Sequence, residues 1–108
     1  MEKLTSINIT EALQVMENKL LEATGLSRTA FHRKAIDKFL NGDMNIDGDL
    51  MITTRKDPRY IRKPVKECIY LDDVRREKLE KVSEEKNIKI TILLFQAIMD
   101  YCVYMSNN

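Results

Sequence analysis

Residues 4–10 read Leu-Thr-Ser-Ile-Asn-Ile-Thr, and residues 66–72 read Lys-Glu-Cys-Ile-Tyr-Leu-Asp. In the first, Ile7 and Ile9 alternate with Ser6 and Asn8, the period-2 pattern of a short strand with one buried face. In the second, the run from Val65 to Leu71 is rich in strand formers, with Ile69 and Leu71 on one face and Cys68 and Tyr70 on the other. Each stretch ends on a residue suited to open a helix. Thr10 has an N-cap side chain and Glu11 follows in the first turn; Asp72 is the corresponding N-cap candidate.

Working outward from these stretches, Leu13, Met16, Leu20 and Ala23 recur at helical spacing and predict one amphipathic stripe. Gly25 is placed to end that helix in the left-handed region. Ser27 then caps a second helix, whose apolar positions Phe31, Ala35, Ile36, Phe39 and Leu40 run up to the stop at Asn41-Gly42. After Asp72 the order repeats. Val74, Leu79 and Val82 supply a sparser stripe, Asn87 stands where a left-handed residue is expected, and a final helix runs from about Lys89 to Met105. That helix is apolar nearly all round, so it has to be buried on several sides.

The two arms align at a constant offset of 62 positions without a gap: Ile7 with Ile69, Thr10 with Asp72, Gly25 with Asn87, Ala35 with Ala97, Ile36 with Ile98 and Phe39 with Tyr101. A strand and two helices cannot cover their own apolar faces in water, whereas two such units can pair strand to strand and interleave helices around one core. A chain of 108 residues then makes one shared core, with a first unit over residues 1–41, a connector over 42–64 and a second unit over 65–108.

Lys plus Arg total 18 against 17 Asp plus Glu, which excludes a highly basic nucleic-acid tail. The balance hides a local asymmetry. Arg55, Lys56, Arg59, Arg62, Lys63 and Lys66 face only Asp57 within residues 53–66, and Asp43, Asp47 and Asp49 precede them without a basic partner. With 44% hydrophobic and 32% charged residues and only 3 Gly and 2 Pro, the composition is that of an ordered helical domain. Cys68 and Cys102 are too few for a disulfide scaffold and have no ligand spacing, and they are expected as reduced core or near-core thiols. The start of the chain builds no apolar leader and no run of about 18 apolar residues suggests a membrane span, so a cytoplasmic location and no membrane partner are expected.

These residues resemble the ribbon-helix-helix superfamily of Arc and MetJ repressors, in the tandem arrangement of some conjugation accessory proteins. The resemblance covers residues 3–40 and 65–104 and lies in the strand, the capped helix, the turn and an apolar second helix carrying Arg33-Lys34-Ala35-Ile36-Asp37-Lys38-Phe39-Leu40 and Phe95-Gln96-Ala97-Ile98-Met99-Asp100-Tyr101-Cys102. It implies a mainly α fold with a short antiparallel β-ribbon, two ribbon-helix-helix units forming an intrachain pseudo-dimer, and a ribbon that enters the DNA major groove. Carried over by position, the reading face would hold Leu4, Ser6 and Asn8 from one strand and Lys66, Cys68 and Tyr70 from the other. Asn8 suits an adenine edge, Ser6 donates or accepts, and Lys66 reaches guanine acceptors, while Leu4, Cys68 and Tyr70 are poorer readers. The resemblance further implies phosphate contacts at the start of each second helix, from Ser27, Arg28 and Thr29 in one arm and Lys89 and Thr91 in the other, although the two hydroxyls Ser27 and Thr91 equally suit simple capping.

The connector is open to two readings, a semi-rigid basic arm (Arg55, Lys56, Arg59, Arg62, Lys63) along the DNA backbone or a solvated linker. Residues 50–54 read as a short additional strand. Asp43, Asn45, Asp47 and Asp49, with Gly48 sixth, partly match a calcium loop, but Thr54 stands where its Glu belongs, which favours a plain acidic loop. His32, the only histidine, has no visible catalytic or metal-ligand partner and is expected at the surface or its boundary; no catalytic residue, metal site or cofactor is expected. Asp72, Asp73, Glu77, Glu80, Glu84 and Glu85 alternate with Arg75, Arg76, Lys78 and Lys81 as a solvated helix face.

The expected function is thus that of a non-enzymatic protein binding double-stranded DNA, a transcriptional repressor or an accessory factor for DNA transfer on a plasmid or mobile element, with self-association through the last helix. The alternative is an antitoxin-like or adaptor module that keeps the fold and binds a protein partner.

Overall fold

In a computed structural model of the chain, the structure describes residues 3–42 and 65–107. The elements run β1 (Lys3–Ile9), α1 (Glu11–Thr24), α2 (Arg28–Asn41), β2 (Val65–Leu71), α3 (Asp73–Lys86) and α4 (Ile90–Ser106). The molecule is mainly helical, with the two strands paired antiparallel. The acidic loop, the strand expected at 50–54 and the basic residues Arg55, Lys56, Arg59, Arg62 and Lys63 lie outside the described residues.

Local chemistry sets the boundaries. Thr10 Oγ1 accepts the Leu13 N–H at 3.0 Å, Ser27 Oγ the Ala30 N–H at 3.1 Å, and Asp72 Oδ1 the Arg75 N–H at 2.8 Å, each satisfying a donor that the first helical turn leaves without a partner. Gly25 closes α1 at φ 73° and Asn87 closes α3 at φ 54°, left-handed conformations that glycine and asparagine tolerate best. The N-terminus of α4 differs, because Lys89 provides no side-chain cap.

The strands pair with Leu4 opposite Tyr70, Ser6 opposite Cys68 and Asn8 opposite Lys66. Ile7, Ile9, Glu67, Ile69 and Leu71 point the other way and are buried. A two-stranded ribbon has too little buried face to stand alone, and here the helices cover it crosswise: α4 packs on β1, and α2 packs on β2. The main helix interface joins α2 to α4, with α1 also against α4 and α3 against both. Almost every such contact therefore links residues 3–42 to residues 65–107, and neither segment encloses a core alone. Leu93 through Ile98 are all buried, as expected for a helix covered by α1, α2, α3 and β1.

Three local expectations change. Val74 is 62% exposed; α3 buries only Leu79 and Val82, and its remaining surface is ionic. Arg75 reaches Asp37 of α2 through two bonds of 2.8 and 2.6 Å, and Arg76 pairs with Asp73 at 3.0 Å. Ala23 is exposed, and the position in α1 that turns inward beside Leu13 is Glu17. Cys68 is exposed on the ribbon, 3.8 Å from Ser6 Oγ, whereas Cys102 is buried. Among the described residues no single helix is long and apolar enough to cross a membrane.

The Asp72 cap carries a pH dependence. The Arg75 backbone N–H, with the Arg75 guanidinium beside it, holds the Asp72 carboxyl below its ordinary 3.8. A depressed folded value stabilises the fold above the unfolded pKa, and that contribution is lost as pH falls below about 4 through the folded value. Asp72→Asn keeps the capping oxygen but not the charge. Urea unfolding is expected to show a smaller loss of stability between pH 5 and pH 3 for the variant than for the parent, with equal losses refuting the assignment.

Candidate functional site

The residues for which the resemblance implies a reading role come together on one surface. Leu4, Ser6 and Asn8 of β1 and Lys66, Cys68 and Tyr70 of β2 are all exposed, because alternate positions along each strand turn away from the helices. Ser6 and Cys68, which are 62 positions apart, lie directly opposite one another. The ribbon register is thus centred on the same offset that relates the two arms.

The two ends of this face differ chemically. One carries the cross-strand pair Asn8 and Lys66, an amide and an ammonium. The other carries Leu4 and Tyr70, which remain 50% and 46% exposed. At the polar end, Ser6, Ile7, Asn8 and Lys66 line an open depression together with Thr91 of α4. Thr91 belongs to the first turn of the helix that lacks a side-chain cap, where free N–H groups and the helix dipole favour an anion. Ser27, by contrast, already bonds its own helix. Thr29 is half-buried and Lys89 exposed.

Arg28 has a different placement from the outward phosphate contact expected for it. Its guanidinium turns toward the interior, where Nη1 donates to Glu17 Oε1 and, at 2.9 Å, to Glu67 Oε1, and Nη2 donates to Asn18 Oδ1. His32 is also corrected: it is buried, not a surface or boundary residue. Its Nε2 lies 3.2 Å from Glu67 Oε2 and 3.5 Å from Glu17 Oε2. The helical phase that buries Phe31, Ala35 and Ile36 carries His32 inward with them, and the strand phase that buries Ile69 and Leu71 does the same for Glu67.

The signal for this polar cluster is present in the sequence as charged residues at apolar phases: Glu17 four positions after Leu13, and Glu67 two before Ile69. Cys102 stands close enough for the Glu67 charge to matter, and burial first, with that charge added, pushes its thiol up to about 12. It is therefore a protonated thiol at neutral pH, consistent with a packing role.

In comparison with known proteins, no family model matches the chain, and no curated protein or solved structure does so either.

Proposed function

We propose that this chain is a non-enzymatic, double-stranded-DNA-binding protein of the ribbon-helix-helix type, with two such units joined as an intrachain pseudo-dimer. The observation that carries this reading is the exposed outer face of the antiparallel ribbon, centred on the Ser6–Cys68 pair. An exposed two-stranded ribbon has the width to enter a major groove. The crosswise packing, in which each arm's second helix lies on the other arm's strand, supports the pseudo-dimer.

Recognition would be uneven along the ribbon. Asn8 and Lys66 present the groups that distinguish adenine and guanine edges. Thr91 lies in the same depression, positioned to meet a phosphate while the ribbon meets the bases. The Leu4–Tyr70 end offers apolar contact to thymine methyl groups and little hydrogen bonding. The role that fits is a repressor or a DNA-transfer accessory factor, acting in the cytoplasm, with the basic connector adding affinity that does not depend on sequence.

Titration of mixed and selected duplexes at several salt concentrations tests this reading. Affinity is expected to fall as a power of salt concentration. Asn8→Ala with Lys66→Ala should lower the preference for the selected duplex by at least about thirtyfold, at roughly 1–3 kcal/mol for each of the two lost base contacts. Arg59→Ala with Arg62→Ala should weaken all duplexes alike. No binding, or binding indifferent to salt, rejects the proposal. The exposed Leu4 and Tyr70 favour one second reading, a protein-interaction module, for which a stoichiometric protein partner would co-purify without nucleic acid.

A further inference from the structure

Glu17, His32 and Glu67 are all buried, and each brings one ligand-capable atom within 4.8 Å of the other two. They come from α1, α2 and β2, so the cluster ties together segments from both arms. Arg28 binds the Oε1 atom of each glutamate, which leaves Oε2 of both carboxylates facing His32 Nε2. Glu67 Oε2 is within hydrogen-bond distance of that nitrogen, at 3.2 Å. Glu17 Oε2 is fully buried and accepts no hydrogen bond. A buried carboxylate oxygen without a donor is costly and calls for a cation.

We propose that Glu17, His32 and Glu67 form a binding site for a divalent transition-metal ion of the zinc class. The geometry suits it. Ligand atoms about 2.0–2.2 Å from a tetrahedral zinc ion stand about 3.4 Å from one another, and the two separations about His32 Nε2 are 3.2 and 3.5 Å. An imidazole with two carboxylates is a borderline donor set that favours zinc over calcium or magnesium. The fourth tetrahedral position is left for water.

Charge identifies what the ion competes with. Two buried carboxylates require two positive charges, of which Arg28 supplies one. A divalent ion supplies both, and Arg28, with 39% of its side chain exposed, has solvent to turn into. Metal and guanidinium are therefore alternative counter-charges, and removing Arg28 should tighten metal binding. Adventitious zinc on surface carboxylates or on the exposed Cys68 would not respond in this way.

The experiment is a zinc titration of the chelator-treated full chain, followed by calorimetry, thermal unfolding and the ring resonances of His32, which as the only histidine reports the site in the unaltered protein. One zinc per chain is expected, with a shift of the His32 ring signals complete at that ratio. The midpoint of unfolding should rise by about 10–20 °C at free zinc a hundredfold above Kd. Glu17→Gln should weaken binding by more than about a hundredfold, since losing even an indirect partner of a metal ligand costs tenfold to a hundredfold. Arg28→Met should strengthen it, and Cys68→Ser should leave it unchanged. His32 ring signals that stay fixed at saturating zinc overturn the proposal, whether or not the variants fold. Binding lost with Cys68→Ser, or retained in a folded Glu17→Gln chain, overturns it as well. None of these readouts involves DNA, so the site stands or falls separately from the proposed function.

Discussion

Phe31→Ala is expected to lower the free energy of unfolding by about 4 kcal/mol, the middle of the range for emptying a buried phenylalanine site. Phe31 is completely buried and packs edge-on against Tyr101 of α4, with ring centroids 5.1 Å apart and an interplanar angle of 62°. It therefore lies in the α2–α4 interface that joins the two arms. The substitution removes the transfer energy of the ring, the favourable aromatic contact and the packing of the cavity wall together. For a domain of this size the unfolding midpoint should fall by about 15–30 °C. Urea denaturation with an unchanged slope checks it. Leu4→Ala on the exposed ribbon face is the control and should shift stability by no more than about 0.5 kcal/mol. A loss at Phe31 below about 1.5 kcal/mol would mean that the two arms do not share this core.

The second large effect is expected at Arg28. Replacing it with Met in metal-free buffer leaves Glu17 and Glu67 buried without the guanidinium that bridges them. Removing one partner of a buried ionic group typically costs 3–5 kcal/mol, and the partial exposure of Arg28 places the expectation near the lower end, about 3 kcal/mol. Adding Glu67→Gln should recover part of that loss, because the second substitution removes the charge the first one strands. The loss in the double variant minus the sum of the two single losses is the coupling energy of a double-mutant cycle. Strict additivity of the two losses would show that Arg28 and Glu67 do not interact in solution.

Arg28 and His32 show where reading by spacing stops short. Their neighbours along the helix identify α2 correctly: Ser27 caps it, and Phe31, Ala35, Ile36 and Phe39 define its buried side. The same periodicity places His32 next to that side, but a histidine at such a position is equally consistent with the boundary. Its burial depends on Glu67, 35 positions away, and on the antiparallel register that turns Glu67 inward beside Ile69. Val74 errs in the opposite direction. Its apolar side chain fits the stripe of α3, yet that helix packs so lightly that only Leu79 and Val82 are covered, and the Arg75–Asp37 bridge takes over part of the link to α2.

The exposed ribbon face was legible because a strand's alternation is a property of its backbone. Once Ile7, Ile9, Ile69 and Leu71 are inward, Ser6, Asn8, Cys68 and Tyr70 must be outward. The pairing of Asn8 with Lys66 depends on the antiparallel register of the two strands, and the approach of Thr91 to that pair on how α4 packs on β1.

Chemistry within a few residues of the chain thus sets most of the helix ends, through three side-chain caps and two left-handed stops, and alternation marks the inner and outer faces of the two paired strands. Long-range packing alone lays α2 and α4 on the opposite strand and gathers Glu17, Arg28, His32 and Glu67 into one cluster. Apolar faces can be matched in more than one arrangement at similar cost in exposed area, whereas a buried charge is tolerated only where a specific partner is brought to it. That partner comes from a distant part of the chain, and the packing of the whole domain delivers it.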